Sequence, residues 1–127
     1  MKLMDVVMAN IAACEMSAQC WSYGLALALV KVKRATSDEA AFFVDRERAL
    51  VLEYAALDDG GNLRLTPEGR FVFADPSRAA EYERARAGLG DTEVGVQAGP
   101  LRVDAPAEIR PAWIEALEGF IEFISEG

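Results

Sequence analysis

A chain of 127 residues, 52% hydrophobic and 27% charged, has the composition of one soluble globular domain and is too apolar for a disordered segment. Its 13 Lys and Arg against 21 Asp and Glu leave a net charge of -8, which repels phosphate backbones and anionic lipid surfaces, so neither nucleic acid nor membrane is an expected partner. The absence of histidine removes Ser/His/Asp and Cys/His machinery and imidazole zinc sites, and two cysteines alone fall short of the usual four zinc ligands; no catalytic residue, metal or cofactor is predicted.

Met4, Val7, Met8, Ile11, Cys14, Ala18 and Trp21 recur at spacings of three and four, which predicts a first helix over about residues 3–20 with that stripe buried. Cys14 and Cys20 would then stand about 9 Å apart along the helix axis on different faces, beyond disulfide reach. They read as small buried apolar side chains in a reducing, cytoplasmic setting. Asp5 interrupts any signal-peptide core, and the longest apolar run, Gly24–Val30, is about half of what a bilayer crossing needs.

Ser22 offers an N-cap for a second helix. From Leu25 onward Leu29, Val32, Thr36, Phe43, Leu50 and Leu57 keep a seven-residue beat, with Tyr54 along the same seam, and neither Pro nor Gly interrupts 25–57. Thr36-Ser37-Asp38-Glu39 has capping-box form, so a break near 36 is the alternative, but no C-cap Gly or Asn precedes it and continuity is the expectation. Such a helix is about 50 Å long and carries apolar seam on more than one side; two shorter helices cover only part of it, which predicts a homo-oligomer along its length.

Asp58-Asp59-Gly60-Gly61-Asn62 is a strong helix stop, and Leu63, Leu65, Phe71 and Phe73 then alternate around the turn Thr66-Pro67-Glu68-Gly69, predicting an antiparallel β-hairpin. A calcium loop starting at Asp58 fails, because its sixth and twelfth positions are Leu63 and Gly69. Asp75-Pro76 starts a third helix over about 76–88. Thr92–Val96 and Leu101–Val103 alternate again, suggesting a second hairpin. Trp113, Ile114, Leu117, Phe120, Ile121 and Ile124 predict an amphipathic terminal helix whose other face carries Glu115, Glu118, Glu122 and Glu126. No internal repeat is evident.

Two charge patterns bear on function. Asp45 with Glu47 or Glu53 could in principle serve acid and base chemistry, but beside Arg46 and Arg48 they read as surface ion pairs. Residues 1–35 carry Lys2, Lys31, Lys33 and Arg34 against Asp5 and Glu15, a net +2, whereas residues 104–127 carry six acids against Arg110, a net -5. The four terminal glutamates are therefore a candidate interaction surface.

The order of these features resembles a family of small phage and prophage proteins known only as a domain of unknown function. The residues that carry the resemblance are the opening Met1-Lys2-Leu3, the stretches Glu39–Phe43 and Arg46–Tyr54, the turn Asp59-Gly60-x-Asn62, the run Phe71–Asp75, and Glu93-Val94 before a Pro-led terminal helix. The resemblance implies a phage source, a bacterial host cytoplasm as setting, and no catalytic residues to carry over. The fold expected is α+β in a single domain: a long central helix packed with N- and C-terminal helices, plus one or two small antiparallel β-hairpins. The function expected is that of a non-enzymatic accessory or assembly protein acting through contacts with an unidentified phage or host protein. The alternative is an acidic inhibitor of a basic host protein.

Overall fold

The computed structural model describes residues 1–96 and 100–125. Its architecture is α+β: α1 (Leu3–Met16), α2 (Tyr23–Tyr54), a 3-10 turn at Pro76–Arg78 leading into α3 (Ala79–Gly90), then β1 (Leu101–Asp104), α4 (Pro111–Leu117) and β2 (Ile121–Ile124). The 32 residues of α2 run unbroken for about 48 Å and organise everything else. Ser22 caps its start, its hydroxyl accepting from the Leu25 amide at 3.5 Å. Thr36 does not act as a cap. It is fully buried, donates to the Val32 carbonyl at 2.7 Å and accepts from Asn10 Nδ2 at 3.0 Å, so a polar group in the core is satisfied from both sides.

The first helix buries a different face from the predicted one. Leu3, Val6, Val7, Ala9, Ala12, Ala13 and Met16 are inside, whereas Met8, Ile11 and both cysteines are exposed. Two overlapping stripes were available, and the one chosen is lined with alanines because α1 lies close against Leu25, Ala28, Leu29 and Val32 of α2. Large side chains at the seam would hold the two backbones apart. The helix also stops at Met16 and not near 20: Ser17 Oγ donates back to the Ala13 carbonyl at 2.7 Å, and Trp21 Nε1 to that of Met16 at 2.7 Å.

The expected antiparallel hairpins give way to a different sheet. β1 pairs with β2 in parallel, Leu101 opposite Ile121 and Val103 opposite Phe123, with α4 as the crossover. The predicted terminal helix is thus only seven residues long, and the segment carrying Ile121, Phe123 and Ile124 is a strand. Its apolar positions fit either period. Gly119 weakens helix continuation, and the unpaired backbone of β1 finds its hydrogen bonds there, as in Leu101 N to Phe120 O at 2.8 Å and Ala105 N to Ile124 O at 2.8 Å.

Between α2 and α3 the chain makes only single antiparallel bridges, Ala55 to Phe73, Leu57 to Leu63 and Leu65 to Phe71. Their amides close a ring: Ala56 donates to the Val72 carbonyl (2.7 Å), Val72 to that of Arg64 (3.0 Å) and Arg64 to that of Ala56 (3.0 Å). The three segments recur every eight residues, a repeat too short to stand out in the sequence. Gly61 and Gly69, at φ 79° and 84°, make equivalent turns in it.

Candidate interaction surface

Along α2 the protein is built in three zones. Its first half packs against α1 and β1, while α4 docks on α1, and Leu25, Leu29, Val32, Trp113, Leu117 and Phe120 share one core. Phe43 joins Leu3 and Val7 in the middle. At the far end Tyr82 of α3 meets Tyr54, Phe71 and Phe73 edge-on at centroid distances of 5.8, 5.3 and 5.6 Å. Over that cluster Arg78 grips Glu81 with two bonds of 3.1 Å, while the Tyr54 hydroxyl donates to Glu81 at 3.3 Å. The Arg78 hydrogen bonds hold the Glu81 carboxyl below its ordinary range, and burial, with Glu81 beside it, raises the Tyr54 phenol. The Asp75 cap of the 3-10 turn, bonded by the Ser77 amide and hydroxyl, is likewise held low. Arg78 and Glu81, through Tyr54, clasp the start of α3 onto the end of α2, whereas Asp75 closes its own turn.

The predicted acidic face is divided by the fold. Glu115 and Glu118 are exposed on α4 and at its cap, and with Asp5 they line an open groove of about 570 Å³ whose apolar lining includes Met1, Met8 and Phe120. Glu122 lies on β2 and pairs with Arg102 at 3.7 Å. Glu126 falls outside the described residues. The carboxylates Asp45, Glu47 and Glu53 are not brought together: successive pairs diverge around the helix, and Glu47 is taken by Arg86 of α3 at 2.8 Å. Asp58 accepts from the amides of Gly60 and Asn62 at 2.9 Å each, closing its own turn. Among the described residues no group of three or more Cys, Asp or Glu is placed to hold a metal ion, and no helix is long and apolar enough to cross a membrane.

One feature left without a partner among the described residues is the outward face of α2. Tyr23, Leu27, Val30, Ala41 and Val44 are exposed there, Tyr23 at 81% and Val44 at 50% of their full areas. With Arg34, Ser37 and Arg48 they form a second seam at spacings alternating between four and three, opposite the buried one. The charges on and beside it, Lys31, Arg34, Asp38, Asp45 and Arg48, take part in no intramolecular ion pair among the described residues, and so are free to meet charges on another chain. Reading α2 by its strongest beat alone hides this face, because its apolar residues are interleaved with charge. The chain is thus an α+β protein with one side of a long helix left exposed. It matches no family model, no curated protein and no solved structure.

Proposed function

We propose that this chain is a non-enzymatic accessory or assembly protein, of the phage or prophage kind its sequence resembles, which acts in the bacterial host cytoplasm through protein contacts and associates with itself along α2. The observation that carries the reading is the outward seam of α2: a face about 40 Å long, apolar at Tyr23, Leu27, Val30, Ala41 and Val44 and interrupted by Arg34, Ser37 and Arg48, is a surface suited to another helix and not to a small substrate. Light scattering at micromolar concentration tests it. A mass above the 13.8 kDa of the single chain is expected, and that mass alone at every concentration overturns self-association.

A second reading, inhibition of a basic host protein, draws support from Asp5, Glu115 and Glu118 around the groove beside α4. Three carboxylates around an apolar floor suit a basic segment with an apolar anchor. Replacing Glu115 and Glu118 by Gln should abolish capture of such a partner at low ionic strength; unchanged capture removes this reading.

A further inference from the structure

Resting on the self-association reading above, we infer that α2 pairs antiparallel with α2 of a second copy of this chain, the twofold axis crossing the seam between Arg34 and Ser37. The seam is a heptad pattern in which Leu27, Arg34, Ala41 and Arg48 hold one core position, and Tyr23, Val30, Ser37 and Val44 the other. In antiparallel pairing these two positions face each other. Leu27 meets the partner's Val44, Val30 meets the partner's Ala41, Arg34 meets the partner's Ser37, and Tyr23 receives the partner's Arg48 over its ring.

Charge decides the orientation. A parallel pair in register would gain Lys33 beside the partner's Asp38 but set Arg34 and Arg48 each against its own copy in one partly dehydrated layer, whereas the antiparallel pair staggers the two Arg34 side chains by one layer and keeps the two Arg48 far apart. The antiparallel pair instead brings Lys31, at the flanking position, beside the partner's Asp38, and the symmetry repeats that contact with Asp38 against the partner's Lys31. Arg34 lies on the same side of the axis and reinforces it. Lys31, Arg34, Asp38 and Arg48 are exposed and, among the described residues, lack intramolecular ionic partners.

Charge also selects the register. Sliding the pair by one heptad toward the C-terminus of α2 sets Asp38 against the partner's Asp38, and sliding it toward the N-terminus sets Lys31 against the partner's Lys31. The first shift keeps two attractions, with Lys31 now beside the partner's Asp45, but adds the Asp38 repulsion at the axis and places Arg34 and Arg48 opposite valines; the second replaces both attractions by a repulsion. The register between them has no like-charge contact at the flanking positions.

Charge reversal and site-specific cross-linking test the arrangement on the full chain. Lys31→Glu and Asp38→Lys each turn two symmetry-related attractions into repulsions and should weaken dimerisation by on the order of tenfold or more, with circular dichroism unchanged because both side chains are exposed. The double variant Lys31→Glu/Asp38→Lys restores attraction and should recover the wild-type dissociation constant. In a Cys14→Ser/Cys20→Ser background, Ser37→Cys lies within roughly 5 Å of level with its copy and should be joined by a short bismaleimide. Leu52→Cys lies about 50 Å along the axis from its copy and should not be joined. A dimer that ignores the charge reversals, or that cross-links through Leu52→Cys, overturns this orientation and register while self-association stands. A chain that stays at 13.8 kDa overturns both.

Discussion

Replacing Trp113 by Ala should remove the joint that holds the β1–α4–β2 unit onto the helices. A helix of seven residues is far below the length that is stable in isolation, so α4 depends on what it docks against. Trp113 is 6% exposed; its indole Nε1 donates to Glu15 of α1 at 3.2 Å, its ring meets the Trp21 ring edge-on at 6.2 Å, and Arg110 stacks over it at 4.9 Å. Truncating a buried tryptophan costs about 3–5 kcal/mol, out of the roughly 5–15 kcal/mol that hold a domain together. Within that total the edge contact with Trp21 accounts for about 1 kcal/mol and the hydrogen bond to Glu15 for about 1 kcal/mol more. Urea unfolding followed by circular dichroism should therefore show the midpoint lowered by about 2–3 M, or the melting temperature lowered by roughly 10–20 °C. Trp113→Phe keeps a ring in the site and should lose less than half as much. A Trp21→Ala/Trp113→Ala double-mutant cycle should return a coupling of about 1 kcal/mol. A Trp113→Ala protein destabilised by less than about 1 kcal/mol would refute the assignment of this residue to the core.

Gly69→Ala forces an L side chain into the left-handed region at φ 84° and should cost about 1–2 kcal/mol, whereas Gly88→Ala, in α3 with open space around it, should add about 0.5–1 kcal/mol; the two thermal melts must move in opposite directions. Because hydrogen bonds from Arg78 and from Ser77 hold Glu81 and Asp75 below the ordinary carboxylate range, their contribution to stability is complete above that range and is lost as pH falls through their lowered folded-state values. Melting temperature should drop with acidification there, by a small amount at such solvent-exposed positions, and Glu81→Gln should flatten the profile; parallel profiles for the two proteins would show that the clasp contributes nothing.

Local chemistry alone determined several features of this chain. No C-cap Gly or Asn stands between 25 and 54, so α2 runs unbroken with Thr36 on its buried seam, as its spacing predicts. The Asp58–Asn62 turn and the Asp75-Pro76 start depend on side chains bonding their own neighbouring backbone, so they are legible without any tertiary context. The outward seam of α2 was legible only as apolar surface on more than one side; its heptad register with unpaired charges emerges when the intramolecular ion pairs are known.

Tertiary structure decided the rest, wherever two local solutions were nearly equal. In α1 two apolar stripes compete, and close approach to α2 selects the alanine face, leaving Met8, Ile11 and both cysteines outside. In the last segment Ile121, Phe123 and Ile124 suit a helix or a strand, and the unpaired edge of β1 turns them into its parallel partner, which carries Glu122 away from Glu115 and Glu118. Periodicity reports only how apolar residues are spaced along a chain. Which face is buried, and which backbone a segment must satisfy, depends on partners distant in sequence, and those are chosen when the whole core closes at once.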